Sequence, residues 1–157
     1  MKDFEIFHKI GELDNESKYL VHKAKEATAH AYAPYSKFEV GAAVMLDDGT
    51  VITGANQENA SYPLCMCAER IALYAAVSQY PGKKITKLAV VAHKRNHKEL
   101  VPATSCGACR QVMLEFEHRQ NAPIQVIQLT KASEWIKSAN TGSLLPFDFS
   151  GENLQVV

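Results

Sequence analysis

The chain has 157 residues, of which 46% are hydrophobic and 22% are charged. This length and composition are typical of one globular domain and argue against a disordered or membrane-embedded protein. Lysine plus arginine and aspartate plus glutamate each number 17, so the chain has no overall positive field to hold a nucleic-acid backbone. We therefore expect neither a nucleic acid nor a membrane as a partner.

The N-terminal segment contains charged residues that interrupt every apolar run up to about residue 18. This pattern argues against the apolar core of a signal peptide and against a membrane span. The protein is therefore expected to stay in the cytoplasm. We interpret residues 1–157 as a single domain in which residues 1–14 form an N-terminal extension.

The first predicted helix covers about residues 15–32, where apolar residues recur at helical spacing. Asn15 or Ser17 is available as its N-terminal cap, and Pro34 ends it. Apolar residues then alternate with polar or small ones on both sides of a short acidic, glycine-containing turn. This second pattern predicts a β-hairpin over residues 38–53.

The rest of the chain alternates predicted helices and strands. Apolar patterns favour helices over residues 68–77 and 111–116, and strands over residues 88–92 and 124–129. Residues 134–137 are consistent with either a short edge strand or a helical turn. Strands that alternate with helices of this length predict an α/β layer fold.

The four cysteines are poor candidates for disulfides in a chain expected to stay in the reducing cytosol. Cys67 and the C-x-x-C pair Cys106 and Cys109 lie at the starts of predicted helices, whose positive ends favour thiolates. The C-x-x-C pair alone is consistent with a redox dithiol, half of a structural zinc site, or chance packing. With Cys67 it supplies three zinc ligands and leaves the fourth tetrahedral position open for water. Cys65 is interpreted as a packed thiol.

Two charged residues follow Cys67 directly. Glu69 falls on the first turn of its predicted helix, where a carboxylate can relay protons to and from a zinc-activated water. Its alternative role is that of an acid stabilised by the helix dipole. Three thiolates and Zn²⁺ carry a net charge of −1, and Arg70 could offset it by donating to the sulfurs. The alternative for Arg70 is a surface salt bridge.

Four short motifs occur in a characteristic order: APYSKFEVGAA at 33–43, NQENASY at 56–62, CAER at 67–70 and CGACRQ at 106–111. From about residue 17 to residue 149, the chain resembles the cytidine deaminases, a branch of the zinc deaminases. The resemblance implies a three-layer α/β/α fold around a mixed sheet of about five strands. It also implies hydrolytic deamination of cytidine and deoxycytidine to uridine and deoxyuridine, with release of ammonia, in pyrimidine salvage.

The resemblance further implies roles for individual residues. Cys67, Cys106 and Cys109 would hold one Zn²⁺ per subunit, and Glu69 would activate water. The substrate would be a small nucleoside, bound by residues that match those of the family: Phe38 packing on the pyrimidine, the backbone around Ala68 contacting the base, and Asn56 and Glu58 bonding the ribose hydroxyl.

A set of three cysteine ligands followed by arginine resembles the homotetrameric branch of the family, in which neighbouring subunits complete each pocket. Tyr62 and Phe149 match residues that reach such shared sites. Two departures from the family pattern occur: Phe147 and Asp148 replace small residues, and Ser105 replaces the proline that often precedes C-x-x-C.

Four alternatives remain open from the sequence. The first is a deaminase of another aminopyrimidine nucleoside, such as the antibiotic blasticidin S. The second is a nucleic-acid-editing deaminase. It would need a basic, aromatic-lined channel, but no Lys/Arg cluster lies beside the motifs. The third is a zinc-stabilised binding module without catalysis. The fourth is a thiol–disulfide oxidoreductase using Cys106 and Cys109, which leaves Cys67 and Glu69 unexplained.

Overall fold

A computed structural model describes residues 3–154 and shows a mixed six-stranded sheet. The strands lie in the spatial order β1-β6-β5-β4-β2-β3. Strands β4 and β5 are parallel, and the other neighbouring pairs are antiparallel. The strands are β1 Phe4–Phe7, β2 Phe38–Leu46, β3 Val51–Ala55, β4 Ile85–Lys94, β5 Gln125–Leu129 and β6 Trp135–Ser138.

Three helices cover the two faces of this sheet: α1 Asn15–Ala27, α2 Ala68–Gln79 and α3 Gly107–Gln120. Alternate residues of each central strand point to opposite faces. In β2, Ala42 and Val44 pack in the core beneath α2 and α3, whereas Ala43 packs in the core beneath α1. This arrangement confirms the predicted three-layer α/β/α fold. None of the helices within residues 3–154 is long and apolar enough to cross a bilayer.

The sheet has six strands where about five were expected, because the N-terminal extension itself contributes one. β1 pairs antiparallel with β6, with Phe4 opposite Ser138 and Phe7 opposite Trp135. The segment interpreted as either an edge strand or a helical turn is therefore a strand, β6, but it lies inside the sheet. The sequence could not show this pairing because it joins residues more than a hundred positions apart.

The first helix begins at Asn15, as predicted, but its cap and its end differ from the prediction. Its N-terminal cap is Asp14, whose Oδ1 accepts the Ser17 backbone N–H at 2.9 Å, so neither Asn15 nor Ser17 serves as the cap. The α-helix ends at Ala27 and continues as one 3-10 turn, Thr28–His30. The two predicted helices that follow are confirmed, and both are longer than their apolar cores indicated.

Two glycines allow helices to approach the sheet closely from opposite faces. A Cβ at Gly54 in β3 would lie 2.5 Å from the Ala72 nitrogen and 2.6 Å from the Ala68 oxygen, both in α2. A Cβ at Gly41 in β2 would lie 2.0 Å from the Ala24 oxygen in α1. The absence of side chains at these two positions therefore sets the height of α1 and α2 above the sheet.

Replacement of Gly54 by alanine should displace the first turn of α2 and with it Cys67. We expect Gly54→Ala to lower the free energy of unfolding by about 1–3 kcal/mol, as overpacking typically does, and to weaken zinc retention. Gly41→Ala is the matched control, because it overpacks the opposite face and should destabilise the fold while retaining zinc. The measurements are urea unfolding and metal analysis after dialysis, and equal zinc loss in the two variants would contradict the prediction.

The Asp14 cap should make the stability of the fold depend on pH. Burial raises the pKa of Asp14, but hydrogen bonds from Ser17 and Lys137 outweigh it, and the pKa lies well below its usual value. A carboxylate with a lowered folded-state pKa stabilises the fold above its unfolded value, about 3.9, and this stabilisation disappears as the pH falls further.

We expect Asp14→Ala to cost about 0.5–2 kcal/mol of unfolding free energy at neutral pH, since a cap is lost. Asp14→Asn, an equally good cap, is the control and should cost less. Urea unfolding of wild type and both variants at neutral and acidic pH tests this. If the difference in unfolding free energy between wild type and Asp14→Ala is the same at neutral and acidic pH, the charged carboxylate is not the source of the stabilisation.

Candidate active site

The first turns of α2 and α3 bring three cysteines together. Cys67 is the residue immediately before α2, and Cys106 is the residue immediately before α3. Cys109 lies one turn into α3 and is fully buried. The sequence predicted that Cys67 and Cys106 lie at the starts of helices, and the structure places them there. At such a position the free backbone N–H groups and the positive end of the helix dipole face the thiolate.

The spacing of the sulfur atoms fits a single metal ion. The Sγ atoms of Cys67, Cys106 and Cys109 all lie within 4.8 Å of one another, and Cys67 Sγ is 3.9 Å from Cys106 Sγ. Tetrahedral zinc with Zn–S bonds of 2.3 Å requires sulfur–sulfur separations of about 3.8 Å. Cys65 is not a member of this group. The residues present therefore fit the three-thiolate zinc site expected from the sequence.

Arg70 contacts this group directly. Its Nη2 donates to Cys67 Sγ at 3.6 Å, and its Nε is buried without a hydrogen-bond partner among the described residues. Hydrogen bonds from Cys109 and Arg70 lower the pKa of Cys67, whereas hydrogen bonding to Cys67 and burial raise the pKa of Cys109. Of these two sulfurs, Cys67 is therefore the one that holds negative charge more readily.

Glu69 lies on the first turn of α2 with only 4% of its surface exposed. Burial is the main cause that raises the pKa of its carboxyl group above the usual value. Glu69 lines the same cleft as Cys67 and Cys106. A buried carboxyl group with a raised pKa is suited to take up and return a proton, which is the role predicted from the sequence.

A cleft of about 460 Å³ opens over the thiol group. This volume is in the range of small-molecule sites. Its lining residues include no lysine or arginine, and the two charged ones are both acidic. They are Phe38, Val40, Asn56, Glu58, Cys65, Met66, Cys67, Ala68, Glu69, Val90, Pro102, Ala103, Thr104 and Cys106. The cleft is therefore suited to a compact, neutral or cationic ligand.

The predicted sugar-binding residues lie in this cleft, and both also hold the backbone in place. Asn56 Nδ2 donates to the Phe38 carbonyl at 2.9 Å, and its Oδ1 accepts the Val40 N–H at 2.9 Å. Glu58 accepts the backbone N–H groups of Tyr35 and Ser36 through the same atom, Oε2. Asn56 and Glu58 thus orient the chain on both sides of Phe38, which itself lines the cleft.

Two of the predicted substrate-binding residues lie outside the cleft lining of this chain. Tyr62 is 68% exposed and packs edge-on against Tyr35, with ring centroids 5.7 Å apart. Phe149 is 56% exposed, and its carbonyl accepts a hydrogen bond from Gln111 Nε2 at 2.8 Å. Within one chain, therefore, the structure does not bring Tyr62 and Phe149 to the thiol group.

Sequence reasoning missed the residues that hold the backbone before Cys106. Buried Gln128 accepts the Ser105 N–H, and Arg110 Nε donates to the Ser105 carbonyl at 2.8 Å. A glutamine within an apolar strand was the available signal for the first contact. Cys65 was interpreted as a packed thiol; its Sγ accepts the Asn59 N–H at 3.2 Å, and the residue also lines the cleft.

Several known proteins are similar to this chain. Cytidine deaminase of Halalkalibacterium halodurans is 40% identical over 141 residues, which cover 88% of this chain and 98% of that protein. Cytidine deaminase of Sporosarcina psychrophila is 41% identical over 135 residues, covering 86% and 92%. The crystal structure of cytidine deaminase from Burkholderia pseudomallei has a TM-score of 0.69 and 40% identity, covering 87% of this chain and all of that one.

The crystal structure of cytidine deaminase from Mycobacterium tuberculosis has a TM-score of 0.67 at 36% identity, covering 87% of this chain and 99% of the other. A family model described as the cytidine and deoxycytidylate deaminase zinc-binding region matches residues 14–122. This range contains all three cysteines of the thiol group, and it covers more than half of the sequence. The chain therefore belongs to the cytidine and deoxycytidylate deaminase family, whose members bind zinc.

Proposed function

We propose that this protein hydrolyses cytidine and deoxycytidine to uridine and deoxyuridine with release of ammonia, and so serves pyrimidine salvage. The observation that carries the proposal is the buried Glu69 carboxyl group in the same cleft as the three grouped thiols. Cytidine deaminase relatives that match nearly their full length to this chain support the same reaction. Three grouped thiols suit the reducing cytoplasm, where they stay free of disulfides.

In this proposal Cys67, Cys106 and Cys109 hold one zinc ion. When bound, the ion supplies a Lewis acid that makes water a nucleophile at neutral pH. Arg70, which donates to Cys67 Sγ, offsets part of the negative charge of three thiolates. The positive ends of α2 and α3 act in the same direction on Cys67 and Cys106.

Glu69 moves the protons of the reaction. Its carboxylate accepts a proton from the attacking water and delivers it to N3 of the cytosine ring while oxygen bonds to C4. The proton of the hydroxyl now on C4 then passes through the same carboxyl group to the exocyclic nitrogen, the C4–N bond breaks, and ammonia leaves as C4 becomes the carbonyl of the uracil ring. Burial raises the pKa of Glu69 above its usual value, which helps the carboxylate to take up the proton of the attacking water.

The proposed substrate contacts follow from the donors and acceptors that the cleft residues do not use for bonds within the protein. Asn56 uses one amide hydrogen and one lone pair on the backbone of β2, which leaves another of each for a sugar hydroxyl. Glu58 uses only Oε2 on Tyr35 and Ser36, so Oε1 is available to accept from the same sugar. Phe38 supplies an apolar face for the pyrimidine, and the backbone at Ala68 contacts the base.

The charge of the cleft favours nucleosides over nucleotides. Its lining contains Glu58 and Glu69 and no cationic side chain, so a 5′-phosphate would meet carboxylates without a compensating lysine or arginine. The equal numbers of acidic and basic residues in the whole chain provide no long-range attraction for a polynucleotide either. The proposed partner is therefore a free nucleoside and not a nucleic acid.

The proposed assembly is a homotetramer in which neighbours complete each pocket. Several large aromatic side chains are exposed near the cleft or in the C-terminal segment, among them Tyr62, Phe149 and the fully exposed Phe147. Phe147 also has a positive backbone φ of 59°, an uncommon conformation for an aromatic residue. A subunit interface would bury these side chains and could place Tyr62 and Phe149 against a neighbouring cleft.

Purified zinc-loaded protein should release ammonia from cytidine and deoxycytidine but not from cytidine monophosphate. The ultraviolet change on conversion of cytosine to uracil and an ammonia assay measure this in parallel. Zinc-loaded protein that turns over no cytosine compound would contradict the proposed activity. Turnover of the monophosphate at the rate of the nucleosides would contradict the argument from cleft charge.

Glu69→Gln should retain zinc and the fold but lose about 10²–10⁴-fold in kcat, the usual contribution of general acid–base catalysis. The amide keeps the size of the side chain and cannot carry the proton. Metal analysis and thermal unfolding serve as controls for site integrity. An active, zinc-containing Glu69→Gln protein would show that another group carries the protons.

Cys67→Ala should lose bound zinc and stability together, because metal binding and folding are coupled. Cys65→Ala is the matched control: it removes a thiol two residues away that does not belong to the grouped sulfurs, and it should keep the zinc. Metal content per chain and the unfolding midpoint with and without a chelator are the measurements. Equal zinc content in the two variants would show that Cys67 is not a ligand.

Sedimentation velocity should give a particle of about four times the chain mass, and mixed assemblies should reveal shared pockets. Glu69→Gln and Phe149→Ala subunits are each expected to be impaired. When they are co-expressed, some pockets combine the Glu69 of one subunit with the Phe149 of its neighbour. The mixture should therefore exceed the mean activity of the two parents; activity equal to that mean, or a monomeric particle, would contradict the shared site.

A further inference from the structure

Residues 101–105, called the site loop, are the later part of the connection between β4 and α3, and they contribute Pro102, Ala103 and Thr104 to the wall of the cleft. Alternate residues of this loop bond to the sheet. Val101 N–H donates to the Ala92 carbonyl, and Ala103 N–H donates to the Leu129 carbonyl, each at 2.9 Å. The next donor in the series, the Ser105 N–H, instead bonds to a side chain: Gln128 Oε1 accepts it at 3.0 Å.

This last contact is buried on both sides. Gln128 is 1% exposed and Ser105 is 2% exposed, so water cannot replace a lost partner. Gln128 lies in β5 between Ile127 and Leu129, in a strand that is otherwise apolar on the buried side. A buried glutamine is costly unless its polar atoms are bonded. For the side-chain oxygen of Gln128, the hydrogen bond from the Ser105 N–H offsets this cost.

The bond acts at the residue immediately before Cys106. The Ser105 carbonyl accepts Arg110 Nε at 2.8 Å, so the peptide groups on both sides of the Ser105 Cα are held. By contrast, the Ser105 hydroxyl is buried and makes no hydrogen bond of ordinary geometry with the described residues. Two hydrogen bonds therefore fix the backbone of Ser105, whereas its hydroxyl lies near the Glu69 carboxyl group and opposes the rise in the pKa of Glu69 that burial causes.

We propose that Gln128 is a positioning residue for the metal centre: its side-chain carbonyl fixes the end of the site loop and thereby the direction in which Cys106 presents its sulfur. The inference rests on the proposed role of Cys106 as a ligand. Removal of a side chain that orients a metal ligand without binding the metal itself typically lowers metal affinity by about 10–100-fold. Gln128 differs from such groups in acting on the backbone next to a ligand, and not on the ligand itself.

The test is the rate at which the zinc-loaded protein loses zinc to a chelator in excess. Gln128→Met keeps the length of the side chain and removes the acceptor, and it should release zinc about 10–100-fold faster than wild type. Ile127→Val is the matched control on the same strand; it shortens a side chain on the opposite face, beneath α1, and should release zinc at the wild-type rate. Equal rates for Gln128→Met and Ile127→Val would overturn the proposal.

A cobalt-substituted protein adds a readout that general destabilisation does not change. The thiolate-to-metal and d–d absorption bands of Co²⁺ report ligand geometry, so Gln128→Met should shift them and Ile127→Val should not. Unchanged bands in Gln128→Met would overturn the proposal even if the zinc were lost faster. If wild-type protein binds neither metal, the ligand assignment fails instead, which separates the two hypotheses.

Variants at Ser105 identify the group on which Gln128 acts. Ser105→Ala keeps the backbone N–H and should hold zinc as wild type does, whereas Ser105→Pro removes the N–H and leaves Gln128 without its partner. The double variant Ser105→Pro with Gln128→Met lacks the same single bond that each single variant already lacks, so it should release zinc no faster than the more affected single variant. Losses that simply add in the double variant, or zinc loss in Ser105→Ala, would overturn the proposed contact.

Discussion

The meeting of two helix N-termini at one point is the constraint on which the rest of this structure depends. Cys67 and Cys106 each precede a helix, and their sulfurs lie 3.9 Å apart although 39 positions separate them in the chain. Three thiols at this spacing repel one another once ionised, so the fold must hold them until a cation compensates their charge. The two helices do this through the core that they share beneath the sheet.

The fold meets this constraint from two directions. From the side of α2, the missing side chain at Gly54 lets the first turn of the helix rest on the backbone of β3. From the side of α3, the site loop is bonded to the ends of the parallel strands β4 and β5. The carboxyl ends of adjacent parallel strands are a common location for sites, because the connections that follow them converge there.

The electrostatics of the cleft are the reverse of those of a phosphate-binding site. Arg70 and the helix ends place positive charge at the sulfurs, while the lining of the cleft presents Glu58 and Glu69 and no lysine or arginine. Asn56 and Glu58 each accept a hydrogen bond from the backbone and keep a further hydrogen-bonding group that is not used within the protein. Under the proposed function, recognition of the sugar and local folding therefore depend on the same side chains.

The sequence by itself determined the helices that begin at the cysteines, the hairpin and the residue types of the thiol group. These features are local: a helix start and a C-x-x-C spacing involve neighbours within one or two turns. Only the tertiary structure decided the pairing of β1 with β6, the contact of Gln128 with Ser105 and the position of Tyr62 and Phe149 outside the cleft. Each of these depends on contacts between distant segments, or on their absence, and local periodicity carries no information about either.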